Sequence, residues 1–425
     1  MKEGIIKDPL LGYIIVNENM LKLIDSYPLQ RLRRIKQLCG SEYVYTGAVH
    51  CRFSHSLGVM SLAEQLISNL LKDNDIPPEI IKEVKAAALL HDIGHGPFSH
   101  VFEGLLGKKF KKNHEDITTW LILESEISEK LENIGLNPKD ISKLAVGKLN
   151  RANQQYIDQI IASSVDVDSL DYIVRDSHFT GAEYGFVDIF RLIYTMEIGE
   201  DKNLAINLSA LSTLEAFLLA RFESFKSIYF HKTSRAVQIM LDEALRKVDE
   251  NTNFLTLDSP EEYLKLDDYT TWCLLLENKE SKDIIENLKR RKLLKVAYEK
   301  ITHVKEEVIS SILTKFSVRK KIEEEIAETA GPNVDASEVW IDVPTLPTVP
   351  YSHSVNLEPM EIPVFSKDKQ GVVKKKRITE ISDIIRVLKG FLNIVRVYTT
   401  KSDRDSVSKA AEEILGPPES AKISM

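Results

Sequence analysis

The sequence predicts a mainly α protein with a small α+β domain at its C-terminal end. Two observations carry that prediction. From about residue 55 to 330 the apolar residues recur at helical spacing, with Val59, Leu62, Leu66 and Leu70 forming one stripe and Ile81, Val84 and Ala88 another. Beyond Gly331-Pro332 the pattern changes: "EVWIDVP", "MEIPVF" and "LNIVRVYTT" read as strands, and "DRDSVSKAAEEILG" as a helix. The expected organisation is a helical region over residues 1–330, with its core at about 50–180, followed by an α+β domain over 333–425 assigned to regulation or oligomerisation.

Within the helical region, Asp75-Ile76-Pro77-Pro78 reads as a helix start, with an Asp cap and prolines that the first turn tolerates. Gly94 and Gly96-Pro97 read as its stop. The charged segment "KEEVISSILTKFSVRKKIEEEIAE" reads as one or two surface helices closed by "TAGPNVD". The strong cationic run, "KDKQGVVKKKR", reads as a solvated hairpin or loop.

Composition narrows the function. A chain of 425 residues at 43% hydrophobic can bury a large core. Its apolar runs are too short to span a membrane, and "MKEGIIKDPLLGYIIV" has acids and a proline where a signal peptide needs an unbroken apolar region. A cytoplasmic protein is expected. Cys39, Cys51 and Cys273 form no C-x-x-C pair, so reduced thiols are expected rather than a disulfide framework or a thiolate zinc site. A net charge of −8 repels nucleic acid, so a phosphate ligand must be held by locally concentrated cations or by metal.

Six of the ten histidines fall between residues 50 and 114: His50, His55, His91, His95, His100 and His114. A lone histidine on an apolar face is usually a hydrogen-bonded core residue, but this crowding is uncommon without a use for imidazole. His91 lies seven residues after Val84 on one buried stripe, and His55 four before Val59 on another, so each is aimed inward. Asp92 follows at the glycine-rich helix stop "HDIGHGPFSH", where its carboxylate can join His91 on one ion. Downstream, Asp168, Tyr172 and Asp176 share a helical face in "DVDSLDYIVRD". The plain reading of that face is an acidic surface helix. The functional one puts Asp168 on a metal, Tyr172 against a sugar and Asp176 on a hydroxyl. Two His and two Asp ligands leave open positions on a six-coordinate ion, which suits Mn, Fe, Mg or Ni better than a closed zinc site.

The ordered set "RLRRIKQL", "RFSHSLGV", "HDIGHGPFSH", "NHED" and "DVDSLDYIVRD" resembles the HD-domain phosphohydrolase superfamily. Within it, the set is similar to the deoxynucleoside triphosphate triphosphohydrolases (dNTPases and dGTPases), especially the family whose vertebrate members join a SAM domain to an HD domain. The similarity is strongest over residues 1–240, and no SAM domain is expected here.

The resemblance implies hydrolysis of a deoxynucleoside triphosphate to a deoxynucleoside and inorganic triphosphate, with a divalent metal (Mn, Mg, Fe, Ni or Zn) on His55, His91, Asp92 and Asp168. It gives Arg52 and His100 to the phosphates, and His114, with His95 as the alternative, to proton transfer. Glu115 tunes an imidazole, and His50 is structural. Gln37 and Leu38 fall near the sugar and base, Tyr172 under the deoxyribose, Asp176 on its 3′-hydroxyl, and Arg221 and Tyr229 among the substrate contacts. Two departures bear on affinity and base preference: Phe225 stands where the family has histidine, and Ser169 where it has a phosphate-touching lysine.

The resemblance also implies a regulatory GTP or dGTP site and a homodimer or homotetramer. Asp25, Gln30 and Arg33 match guanine-reading positions, and Val44, Tyr45, His231 and Lys232 the adjoining pocket. Gly4, Lys7 and Ser227 replace a lysine, an asparagine and an arginine of the family, and each lost cation weakens triphosphate binding. The competing readings are a dNMP 5′-nucleotidase, a cyclic-nucleotide phosphodiesterase, and a non-catalytic nucleotide sensor or single-strand nucleic-acid binder.

Overall fold

Gly58 lies where two site-bearing helices cross. A Cβ built on it would overlap Asp171 Oδ1 and Arg175 Nη2, so the absence of a side chain lets the helices Arg52–Leu70 and Val167–Thr180 approach this closely. The computed structural model describes residues 3–72, 74–304, 315–347, 362–367, 373–388 and 391–418. Met360 and Glu361 of the strand read at "MEIPVF", residues 305–314 of the charged segment and residues 368–372 of the cationic run lie outside the described residues.

The helical body forms as the apolar spacing predicts. Val59, Leu62, Leu66 and Leu70 of Arg52–Leu70 are all buried, as are Val84 and Ala88 of Pro78–Leu90, the helix packed against it. Each of the valines and leucines among them gains about 1.5–3 kcal/mol on burial. Pro78–Leu90 starts on Pro77 rather than on an Asp75 cap, and it ends at His91. Val167–Thr180 starts on a capping box, in which Asp166 accepts from Ser169 N while the Ser169 hydroxyl meets Asp166 N, and it stops at Gly181.

Among the described residues three sheets flank the helices. Glu3–Asp8 and Gly12–Asn17 form an N-terminal antiparallel hairpin, which the sequence reading did not anticipate. A four-stranded sheet runs in the order Met196–Ile198, Leu204–Asn207, Pro363–Lys367, Val373–Arg377, its middle pair parallel with Ile206 opposite Val364. Ile362, Val364, Ile378 and Ile385 thereby join the main core.

The third sheet centres on Phe391–Thr399, paired antiparallel with Lys295–Val304 on one side and with Val339–Asp342 and Thr345–Pro347 on the other. The helices Phe316–Ala330 and Arg404–Leu415 back it over a separate core that includes Tyr298, Ile326, Ile341, Val397 and Val407. This α+β layer draws Lys295–Val304 and Phe316–Ala330 from before Gly331, whereas the strands at Pro363–Lys367 and Val373–Arg377 leave it for the helical body. Arg235 of the helix Lys232–Thr252 ties the layer to that body through both oxygens of Asp342. No helix among the described residues is long and apolar enough to cross a membrane.

Candidate metal centre and active site

His55 sits one turn into Arg52–Leu70, and His91 is the residue on which Pro78–Leu90 ends. His55 Nδ1 lies 2.8 Å from Asp171 Oδ2, and His91 Nδ1 lies 2.8 Å from the Ala88 carbonyl. Those partners only accept, so both Nδ1 atoms carry a proton and both Nε2 atoms are turned toward the same point, where each would offer a lone pair to a cation. Asp168 Oδ1 is 2.9 Å from His55 Nε2 and 3.7 Å from His91 Nε2. Asp92 stands beside this group, with Oδ1 3.5 Å from His91 Nε2 and Oδ2 3.8 Å from His55 Nε2, and it also belongs to a second group with His95 and His114.

The donor set fits a divalent cation. His91 Nε2 is buried without a hydrogen-bond partner, which is costly unless something accepts its lone pair. Burial pushes the His55 imidazole down, but hydrogen bonds to Asp168 and Asp171 outweigh it and raise the group to about 10. Excess negative charge around one imidazole is what a bound cation would neutralise. The sequence reading missed Asp171, which Arg175 grips through Nε at 2.7 Å and Nη2 at 2.9 Å while its Nη1 reaches Asp8 of the hairpin. Its signal was the i, i+4 spacing to Arg175.

A second cluster lies beside the first. Gly94 lets the turn after His91 press on the N-terminus of the helix His114–Glu124, since a Cβ there would overlap the His114 carbonyl and Thr118 N. That approach stacks His95 on His114, their ring centres 4.1 Å apart and 19° from parallel. His95 Nε2 is 3.2 Å from Asp92 Oδ1. Burial and the nearby Arg52 guanidinium hold His95 well below the usual imidazole range, so it is neutral.

His114 Nδ1 lies 2.5 Å from Glu103 Oε1, and His100 Nδ1 lies 2.8 Å from Glu103 Oε2. Burial raises the Glu103 carboxyl, but those two imidazoles more than offset it and hold it well below the carboxylate range. Glu115, expected to tune an imidazole, instead pairs with Lys148 at 2.6 Å, and Glu103 is the carboxylate that His114 meets. Two carboxylates were available by sequence spacing, and the helix His100–Phe110 turns Glu103 inward alongside His100, three residues before it.

Arg52 is buried, with Nη1 donating to Asp92 Oδ2 at 2.6 Å and Nε to Ser99 Oγ at 2.8 Å. These residues line one cavity of about 820 Å³, which also takes in Gln37, Leu38, His100, Tyr172, Asp176, Arg221, Phe225 and Tyr229. Asp176 is buried, its Oδ1 accepting from His50 Nε2 at 2.7 Å and its Oδ2 from the Tyr229 hydroxyl at 2.5 Å. His50, assigned a structural role, therefore anchors a cavity residue. A π-helical turn, Phe225–Tyr229, carries Phe225 against Tyr229 at 4.7 Å and beneath the Arg221 guanidinium at 5.7 Å. Arg221 Nε is buried there without a partner.

The residues matched to a regulatory site lie on two surfaces outside this cavity. Arg33 Nε donates to Gln30 Oε1 at 2.8 Å and the guanidinium covers the Phe53 ring, while Gln30 Nε2 donates to the carbonyl of Ile24, the residue before the exposed Asp25 that ends Glu18–Ile24. Tyr45 and His231 meet edge to face at 6.0 Å, with Val44 and Lys232 next to them in the chain.

A helical frame that brings histidine, a His-Asp pair and a distant aspartate onto one point defines an HD-domain protein, and the HD domain family model matches residues 52–176. The model for the HD associated region matches residues 187–424, and the chain belongs to the family of HD-domain proteins that carry this associated region. Its relatives include the uncharacterized protein YwfO of Bacillus subtilis, 34% identical over 59% of this chain and 57% of that protein. Two others are named deoxynucleoside triphosphate triphosphohydrolases: the SAMHD1 homolog of Dictyostelium discoideum, at 31% over 68% of this chain and 59% of its own length, and SAMHD1 of Homo sapiens, at 30% over 68% and 54%. The chain thus matches little more than half of each of these three. A hypothetical protein from Aquifex aeolicus superposes with a TM-score of 0.77 at 28% identity, covering 96% of this chain and 100% of that one.

Proposed function

We propose that the chain is a metal-dependent phosphohydrolase that cleaves deoxynucleoside triphosphates into deoxynucleoside and inorganic triphosphate. One observation carries the reading: the His55, His91, Asp92 and Asp168 donors, His114 and the wall of Tyr172, Asp176 and Tyr229 all line one cavity, with Glu103 bonded to His114 Nδ1. The names of the Dictyostelium and human relatives support the substrate class.

A divalent ion on those four ligands would polarise the α-phosphate and lower the pKa of water. Arg52 adds a buried cation beside it. As water adds to the α-phosphorus and the bond to O5′ breaks, O5′ takes a proton from His114 Nε2, while Glu103 on Nδ1 stabilises the imidazolium that precedes transfer. His95, held neutral, is less suited to that task. Tyr172 fills the space beside the sugar, which favours deoxyribose by excluding a 2′-hydroxyl. Asp176 keeps a second lone pair on each oxygen for a 3′-hydroxyl.

The test is a screen of all four deoxynucleoside triphosphates against several divalent metals with triphosphate detected directly. Release of phosphate or pyrophosphate instead would assign another HD phosphohydrolase reaction. Binding without turnover in every metal would assign a nucleotide sensor.

The proposal extends to GTP or dGTP activation of a homodimer or homotetramer. Its support is the surface grouping of Asp25, Gln30 and Arg33, where a carboxylate, an amide and a guanidinium offer the edge complementarity that guanine needs. Turnover of dATP measured across a wide range of added GTP tests it, and a flat response with an unchanged sedimentation profile would reject it.

A further inference from the structure

The turn that follows the metal ligands has two non-glycine residues in the left-handed region, Phe98 at φ 59° and Ser99 at φ 55°. Such backbone is unfavourable for a residue with a Cβ and persists only where its surroundings hold it. Here the hold comes from far along the chain. Asp268, the buried first residue of the helix Asp268–Glu277, accepts from Phe98 N at 2.7 Å with Oδ1 and from Lys36 N at 2.9 Å with Oδ2.

The two segments that Asp268 joins are also bound to each other. Ser99 Oγ donates to the Lys36 carbonyl at 2.7 Å and accepts from Arg52 Nε at 2.8 Å, and Arg52 Nη1 reaches Asp92 Oδ2 at 2.6 Å. An unbroken run of hydrogen bonds therefore leads from Asp268 to a candidate metal ligand. Lys36 Nζ is engaged by Glu42 at 2.7 Å, so what faces the Asp268 oxygens is backbone N–H rather than that ammonium. Burial pushes the Asp268 carboxyl up to about 6 in spite of both donors, so the fold keeps an acid that is costly to enclose. Residue 268 lies outside the HD match at 52–176 and inside the associated region at 187–424.

We propose that Asp268 is a positioning residue for the hydrolytic site: its two oxygens pin Phe98 and Lys36 so that Ser99 holds Arg52 in place against Asp92 and the substrate phosphate. The kinetic consequence rests on the phosphohydrolase reading above, whereas the clamp itself does not. A carboxylate is required because both oxygens must accept. Asparagine keeps one acceptor and points an N–H at the other donor.

The test compares the metal-loaded full chain with Asp268→Asn, Asp268→Ala and Asp267→Ala. Asp267 caps the same helix and bonds Arg34, but it makes none of the clamp contacts. Turnover of deoxynucleoside triphosphate per bound metal should fall about tenfold to a hundredfold in Asp268→Ala and less in Asp268→Asn, with KM within about threefold. Asp267→Ala should lower only the melting temperature. The double variant Asp268→Ala/Ser99→Ala should be no slower than the slower single variant, because both act through one relay.

A kcat within twofold of wild type in Asp268→Ala, an equal loss in Asp267→Ala, or multiplying effects in the double variant would overturn the assignment. If the wild-type chain hydrolyses no deoxynucleoside triphosphate, the proposed function fails, and hydrogen exchange still reads the clamp. Amides of Lys36 and Phe98 should exchange at least about tenfold faster in Asp268→Asn while those of Leu62 and Leu66 do not change. Equal protection at Lys36 and Phe98 in both proteins would sink it.

Discussion

Glu103 Oε1 lies 2.5 Å from His114 Nδ1, while Oε2 of the same carboxylate holds His100 at 2.8 Å. One acid thus orients two of the cavity's imidazoles, one of them assigned to proton transfer. Glu103→Gln retains the shape and removes the charge that supports an imidazolium. We expect kcat to fall about a hundredfold, at least tenfold more than in Glu115→Gln, with bound metal unchanged. Steady-state kinetics with metal analysis on both variants checks this.

Removing the metal should abolish turnover and lower the melting temperature together. His91→Ala and Asp92→Ala should each lose activity and bound metal in parallel, because His91 Nε2 and Asp92 Oδ1 lie 3.5 Å apart on the same point. The readout is elemental analysis of the purified variants beside their turnover. Full activity with no metal would overturn the ligand assignment.

Gly58→Ala should strike stability and site at once. Its new methyl meets Asp171 and Arg175, whose own bonds orient His55, so the crossing helices must separate. Overpacking of this kind costs about 1–3 kcal/mol, and disturbing the partner of a ligating imidazole lowers metal affinity about tenfold to a hundredfold. Urea unfolding and metal titration measure the two effects separately.

Asp268 should leave a signature in stability against pH. Its carboxyl is raised to about 6 by burial, against an ordinary value near 3.8, so the folded chain holds this proton more tightly than the unfolded one. Stability from this group is therefore greatest below about pH 4, declines as pH rises to about 6 and is level above that. The decline amounts to roughly 3 kcal/mol. Lys36, Asp267, Arg31 and Cys39 face the same carboxyl, so the reading is a difference: unfolding free energy of wild type minus Asp268→Asn, followed from pH 4 to 7.5. A difference that stays flat would refute the assignment.

Some of the site was legible because helical spacing reports direction. Val59 and Val84 lie on buried stripes, so His55, four residues before one, and His91, seven after the other, had to point inward, and Asp168, Tyr172 and Asp176 had to share a face. Glu103 was less legible. It stands at i+3 from His100, but Glu115 stands beside His114 in the chain, and sequence neighbours on a helix diverge while residues three apart converge. The C-terminal strands were legible as strands and not as partners, since alternation marks a pleated segment without saying which edge it joins. Pro363–Lys367 pairs with Leu204–Asn207, about 160 residues earlier.

Apolar periodicity and turn residues act over a few positions, so the helical frame, the strand-forming C-terminal segments and the residues turned toward one candidate metal centre could be read from the order of residues alone. Which carboxylate serves which imidazole, that Asp171 backs His55, and that Asp268 reaches back to Phe98 and Lys36 follow from the three-dimensional packing. Those pairings depend on how closely whole helices cross, at Gly58 and Gly94, and on backbone N–H groups that have no signature in the order of side chains.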